Sequence, residues 1–215
     1  MRQRSQRETV ARFYVGRVRD RLTARQTSRK TTLIGLTPTG RVVTLRPPRV
    51  SDADAWRRIR LRDQAAIEPF WSSSTLGWTD RHTEAIWIRE CLQSRLDTAA
   101  GRALPLVIDV DGQFAGQCNL EWIDAYNGTA EIGIWVDSAQ GRSGVGATAV
   151  SVMLAHAFGA LGLHRISAPV SVTNAVAKNL FKKAGLAHEG TMRDYMDVGG
   201  VRRDHELWAV TNCGQ

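Results

Sequence analysis

The sequence predicts a mixed α/β domain of the α+β kind, built on a mostly antiparallel sheet. Two apolar runs, LPLVIDV (104–110) and QFAGQCNLEWI (113–123), flank Asp111-Gly112, a strong hairpin signal. A glycine-rich stretch, QGRSGVGATA (140–149), separates the strand-like TAEIGIWV (129–136) from an apolar helical run. The chain closes on two further strand-like runs around Gly199-Gly200.

The other elements follow in order. RVVTLRPP (41–48) reads as a short strand stopped by Pro47 and Pro48. SDADAWRRIRLRDQ (51–64) reads as a helix with Ser51 as N-cap and Trp56, Ile59 and Leu61 along it. AIEPFWSSSTLGWT (66–79) reads as an aromatic-rich loop, and a second helix is expected from Asp80 to Leu96, with Ile86 and Trp87 buried. Beyond the central hairpin, the glycine turn feeds a helix over 144–161. HRISAPVSV (164–172) is then a strand, and NAVAKNLFKKAG (174–185) a helix ended by Gly185. LAHEGTMRDYMDV and VRRDHELWAV form the closing hairpin.

The composition, 43% hydrophobic and 23% charged, is that of a globular domain, and no apolar run approaches the roughly 20 residues of a membrane span. No apolar segment follows the basic N-terminus, so no secretory signal is expected. The cysteines Cys91, Cys118 and Cys213 are odd in number and widely spaced, which points to a reducing cytoplasm and away from disulfides or a zinc site. The formal charge of +8 is concentrated at one end. Residues 1–30 hold ten of the 29 Lys and Arg and two of the 21 Asp and Glu, leaving 31–215 neutral. Residues 8–25 have the apolar spacing of a basic amphipathic helix, and 26–40 read as a linker. The expected division is thus an extension over 1–40 and a domain over 41–212. The extension suits either contact with RNA or the ribosome, or a solvated appendage.

Three phosphate-binding patterns compete for the glycine turn. GRSGVGAT (141–148) has the Walker spacing, but Ala147 stands where a lysine must reach the phosphates. GVGATA (144–149) fits a dinucleotide fingerprint, but the strand that follows carries no acid for a ribose. The third pattern needs neither: backbone N–H groups at a helix start, with Arg142 in support, hold a pyrophosphate that is not cleaved. That pattern suits coenzyme A.

Four segments in sequence order strengthen this reading. They are IEPFW (67–71), IGIWVDSAQGRSGVGATA (132–149), VTNAVAKNLFKKAGL (172–186) and EGTMRDYMDVGGVRRDHELWA (189–209). Together they resemble the GNAT acetyltransferase superfamily, and within it the RimJ/RimL branch of ribosomal-protein alanine N-acetyltransferases, over about residues 41–210. The resemblance implies a GNAT fold: a central sheet splayed at the acetyl-CoA site and flanked by helices. It implies an acetyl-CoA-dependent N-acetyltransferase acting in the cytoplasm as monomer or homodimer. The acceptor would be the α-amine of a protein N-terminus or, alternatively, a small amine such as an amino acid, polyamine or antibiotic. A third possibility is a non-catalytic CoA-binding or sensing protein.

By the same resemblance, Ile134, Trp135 and Val136 would hold the pantetheine through their backbone, with the Val136 N–H polarising the acetyl carbonyl. Arg142, Ser143, Gly144, Val145, Gly146 and Ala147 would take the pyrophosphate. Asn174 would touch the cofactor or cap its helix. Ala177 stands at the family serine, and Phe181 at the place of a proton-donating tyrosine, so neither usual donor is present. Gln140 sits one residue early, with Gly141 in its slot. Glu121 and Glu131, acids inside central strands, are candidates for catalytic base or for substrate positioning. Glu68, Phe70, Trp71, Asp194 and Tyr195 are the substrate-side candidates. Ser72, Ser73 and Trp78 share the loop of Glu68, while Arg193 and Asp204 fit either pairing within the hairpin or binding.

Overall fold

In the computed structural model, residues 31–212 are described. The basic helix expected at 8–25 and most of the extension lie outside them. Eight strands form one sheet: β1 (Leu33–Leu36), β2 (Val42–Arg46), β3 (Leu104–Val110), β4 (Gln113–Asp124), β5 (Thr129–Val136), β6 (Arg165–Ser171), β7 (Ala187–Val198) and β8 (Val201–Thr211). Their order is β1-β2-β3-β4-β5-β6-β8-β7. Every pairing is antiparallel except β5 with β6. That parallel step needs a crossover, and the helix after the glycine turn, α4 (Val145–Gly159), supplies it. The helices before it are α1 (Ala53–Arg62), α2 (Gln64–Ile67) and α3 (Glu84–Ala100). The helix α5 (Ala175–Lys183) precedes the closing hairpin.

Strand alternation divides the sheet into two faces. On one, Cys118, Leu120, Ala130, Ile132, Ile166, Ala168 and Val170 join α4 and α5 in the main core. On the other, Trp56, Trp78, Trp87, Val107 and Trp135 form a smaller aromatic core under α1 and α3. Between β4 and β5 this second face carries a polar row, Gln117, Asn119 and Glu121, opposite Trp135, Gly133 and Glu131.

The structure departs from the sequence expectations in three places. First, the stretch read as linker contains β1, whose residues pair with β2 from Leu33↔Leu45 to Leu36↔Val42. The strand is short, and Gly35 interrupts its apolar residues because α4 passes beneath. A Cβ there would stand 2.6 Å from a Val152 methyl. A cut at residue 35 would therefore remove most of a strand, not a linker. Second, Ser51 is not the cap of α1. A short 3-10 turn, Val50–Asp52, precedes the helix, and the Asp52 carboxylate accepts the Arg49 N–H at 2.8 Å. Third, the long helix starts at Glu84, four residues late, because His82 is held out of it by the Trp78 carbonyl. The Thr83 side chain caps it, and it runs on to Gly101. No described helix is long and apolar enough to cross a membrane.

Candidate acetyl-CoA and acceptor site

The strands β5 and β6 are laddered only from Thr129↔Arg165 to Glu131↔Ser167. Beyond Glu131 they part, while β6 stays paired to β8 as far as Ser171↔His205. The backbone of Ile132–Val136 thus has no ladder partner on its β6 side, where an extended amide chain can lie. Pro169 falls in the parted stretch of β6, where its missing N–H is tolerated.

The glycine turn closes the wide end of this opening. Arg142 and Gly144 both have positive φ, 60° and 83°, which turns successive N–H groups to one side. The first N–H to close inside α4 is that of Thr148, on the Gly144 carbonyl, at 2.9 Å. The N–H groups of Val145, Gly146 and Ala147 are left at the positive end of a 15-residue helix. Ser143 turns its hydroxyl back to the Gln140 carbonyl at 2.5 Å. Val136 lies beside the turn: a Cβ on Gly146 would be 3.6 Å from its methyl. The residues present fit a pyrophosphate held by backbone donors, with exposed Arg142 alongside.

Two supports fix the turn. Arg41 donates to the Gln140 side chain at 2.5 Å and pairs with Asp111, so the displaced Gln140 is a structural strut. Gly144 packs on the β1–β2 turn, where a Cβ would meet Pro38 at 2.8 Å. The second support comes from α1. Asp63 accepts both the N–H and the hydroxyl of Ser138 at 2.8 Å, and Arg62 bridges Asp63 to Asp137. Burial works to raise the Asp63 carboxyl, but hydrogen bonds from Arg62 and Ser138 outweigh it and hold the group below its ordinary range. This stabilisation is present above the usual aspartate pKa and is lost as pH falls through the depressed one. Asp63→Asn is expected to cost about 2 kcal/mol in urea unfolding at pH 7, in the range of buried charged hydrogen bonds. It should also raise the KM for acetyl-CoA several-fold, and the stability difference should shrink below about pH 4.

On the second face, Glu131 stands where β5 and β6 part, beside Glu121 on β4. Burial, and then the Glu121 charge, raise the Glu131 carboxyl above its ordinary value. Glu121 is the more exposed of the two, and Asn119 donates to it at 3.4 Å. The Asn119 Oδ1 is buried without a hydrogen-bond partner. Opposite it, Gly133 has open space where a side chain would be. A wide bulge in β7 sets three residues, Arg193 to Tyr195, against Asp204 of β8, and the Asp204 carboxylate accepts the Asp194 N–H at 2.9 Å. The bulge brings Tyr195 against His205, ring centroids 5.6 Å apart, and burial and the Glu131 charge raise its phenol.

Not every expected residue reaches this space. Asn174 caps α5, its Oδ1 accepting the Ala177 N–H at 3.0 Å. Phe181 is 3% exposed in the main core, so it offers packing and no surface to a cofactor. Glu68 is engaged by Gln64 at 2.7 Å within its own turn, and Phe70 points to solvent at 37% exposure. Asp194 is exposed in the bulge and Asp204 maintains it. Trp71 stacks on the Arg60 guanidinium at 3.8 Å. Ser72 bridges to Val198, and Ser73 binds both Asp197 and the Gly200 N–H, tying this loop to the closing hairpin.

Sequence reasoning missed Gln117, Asn119, Glu90 and Arg60. The first two were visible as the polar half of the alternation QCNLE, whose apolar half is Cys118 and Leu120. Glu90, on α3, keeps part of its surface exposed, and desolvation where it lines the cavities raises its carboxyl above the ordinary value. With Gln117 it lines both an outer cavity of about 670 Å³ and an inner one of about 190 Å³.

The comparisons agree with this geometry. The model of the acetyltransferase (GNAT) domain matches residues 43–187. A solved structure of Mycobacterium smegmatis RimJ in complex with CoA-disulfide is 36% identical, with a TM-score of 0.82, and is matched over 91% of its length and 87% of this chain. The probable N-acetyltransferase YjcK of Bacillus subtilis is 37% identical over 84 residues, 39% of this chain, and the match spans about half, 46%, of its own length. A ribosomal-protein-S5-alanine acetyltransferase from Vibrio fischeri, at 22% identity, shares the fold, with a TM-score of 0.72 over 80% of this chain and 93% of that one. A sheet parted after one parallel step, a helix N-terminus at its mouth and a family model over two thirds of the sequence lead to one conclusion: the chain belongs to the GNAT family of acetyl-CoA-dependent N-acetyltransferases.

Proposed function

We propose that the protein acetylates a primary amine, favouring the N-terminal α-amine of a protein of the ribosomal alanine type. The observation that carries this is the open space over Gly133 beside the parted strand, bordered by Glu131, Trp135 and the unpaired Asn119 Oδ1. Bound acetyl-CoA supplies an activated acyl group as a thioester. The turn at 142–147 holds the pyrophosphate, and the free backbone of β5 orients the pantetheine. The turn abuts Val136, and β5 rises about 3.3 Å per residue. The free β5 backbone between Val136 and Glu131 would therefore hold the pantetheine, and an N–H towards Ile132, rather than that of Val136, would polarise the acetyl carbonyl. Asn119 accepts one N–H of the incoming amine. Glu131 removes a proton from it, since the nucleophile must be neutral. Attack of the amine would break the thioester C–S bond, and Tyr195, whose phenol stays protonated, would be the O–H donor to the released thiolate, since Ala177 and Phe181 carry no acid. The basic residues 1–30 suit an acceptor presented next to RNA. The structural similarity to the RimJ and S5-alanine enzymes supports a protein acceptor. The test is acetyl-CoA turnover, read as thiol release, on peptides beginning with Ala or Ser beside a panel of small amines. Faster turnover of the peptides is expected. Tight CoA binding with no thiol released by any amine would overturn acetyl transfer.

A further inference from the structure

The inner cavity holds a buried cation without a counter-ion. Arg60 is 1% exposed, yet it sits among Trp71, Trp78 and Trp135, its guanidinium 3.8, 4.8 and 5.0 Å from their ring centres. Its Nε–H donates to His82 Nε2 at 3.0 Å. His82 therefore carries its proton on Nδ1 and gives it to the Trp78 carbonyl, at 2.5 Å. Burial depresses this histidine to about 4, so it stays neutral and supplies no charge. Arg60 Nη1 is buried with no hydrogen-bond partner. No carboxylate of the described residues forms a salt bridge with Arg60. Glu90 acts on it only at longer range. An arginine kept charged and dry with a free donor is costly unless something anionic completes it.

The cavity around it is cationic. Arg81 and Arg89 line it with Arg60, against Glu90 alone. Trp56, Trp71 and Ser74 form other parts of the wall. Gln117 opens it towards the acceptor space: it lines both cavities, and its Oε1 accepts the Trp135 Nε1–H at 2.9 Å. Charge is thus sorted along one face. Carboxylates stand on β4 and β5, where an amine must arrive, and a guanidinium stands on the far side of Trp135.

We infer that the inner cavity at Arg60 is a carboxylate subsite, and that the acceptor carries a carboxylate within a few bonds of the amine that is acetylated. This rests on the acetyl-transfer reading and names the substrate class within it. The guanidinium takes a carboxylate through Nη1 as a charge-assisted hydrogen bond, and the tryptophan walls keep water from competing. Two sources share this chemistry: an acidic side chain next to a peptide's N-terminal residue, and the α-carboxylate of a free amino acid. A neutral amide in the same place leaves Nη1 without its charged partner, the situation in which binding sites discriminate strongly.

The experiment compares matched acceptor pairs on the full chain: Ala-Asp-Ala-amide against Ala-Asn-Ala-amide, and alanine against alaninamide. Thiol release gives kcat/KM for each. Quenching of tryptophan fluorescence in the CoA-loaded protein gives binding without turnover. In at least one pair the carboxylate member is expected to be favoured by about tenfold or more, and the pair that shows it identifies the source. Arg60→Gln is expected to bring that ratio towards one, and Arg81→Gln to narrow it. Equal binding and equal use within both pairs would overturn the subsite, as would an undiminished ratio in a folded Arg60→Gln. Preferential binding of the carboxylate without thiol release overturns acetyl transfer and leaves the subsite standing. Thiol release without preference does the reverse. Should Arg60→Gln fail to fold by circular dichroism, the wild-type pairs decide alone.

Discussion

Glu131→Gln is expected to lower kcat/KM for amine acetylation by about 10²- to 10³-fold, the usual worth of a positioned general base, while CoA binding is retained. The reason is placement and charge state. Glu131 is the last β5 residue laddered to β6, so its carboxyl stands at the inner end of the opening. Burial and the neighbouring Glu121 raise it above the ordinary carboxylate value. In the wild type, kcat/KM should rise with pH through a limb displaced upward from the usual glutamate range, and the variant should lack that limb. Stability should move the other way. A raised folded pKa means that the native state prefers the neutral carboxyl, so its contribution is full at low pH and lost as pH rises through the folded value. Glu131→Gln is therefore expected to melt higher than wild type at pH 7 and to match it near pH 4. A mere structural role would show lost stability without a changed pH limb. A Glu121→Gln variant that removed the limb instead would transfer the base to β4.

Two glycines on adjacent strands should respond oppositely to a single methyl group. Gly116 has a φ of 146°, and a Cβ on it would lie 2.2 Å from the Trp135 carbonyl oxygen and 3.0 Å from the Val136 Cα. Both obstacles are backbone of the cofactor strand and cannot swing aside. Gly116→Ala is expected to cost more than about 3 kcal/mol, read as a lower urea midpoint or as loss of soluble protein. Gly133, one strand over, has nothing within 4 Å of a built Cβ. Gly133→Val should leave the urea midpoint near wild type and raise KM for the acceptor, because its side chain fills the space above β5. Unchanged acceptor kinetics in Gly133→Val would move the acceptor away from this face.

Much of the fold was legible because its signals are local. Asp111-Gly112 and Gly199-Gly200 announce hairpins in their own few residues, and Gly144 with the apolar run after it announces a helix start. The candidate cofactor turn was visible as a pattern for the same reason, since one glycine-rich turn and the strand before it lie within a single local run. The acceptor side was not. Arg60 belongs to RRIRLR, where nothing in the sequence sets it apart from Arg57, Arg58 and Arg62. Only the arrival of Trp71, Trp78 and His82 from the next loop, and of Trp135 from a distant strand, makes it a buried cation. The Asp63–Ser138 pair joins residues 75 positions apart, and no spacing rule reports such a contact. β1 escaped notice because its apolar run is only four residues long, is broken by Gly35 and is set among Thr, Ser, Pro and Gly residues that read as a linker.

On the proposed reading of the two sites, the clamp at the end of α1 would link two binding equilibria. This ten-residue helix presents Arg60 to the acceptor cavity and, two residues on, Arg62, which with Asp63 reaches the start of the cofactor turn. A ligand that orders the turn would remove part of the ordering that the other must otherwise supply, and the two would then share a coupling free energy. Linkage makes that quantity reciprocal: the factor by which CoA tightens the acceptor equals the factor by which the acceptor tightens CoA. Cutting the clamp would uncouple the two affinities without touching either ligand.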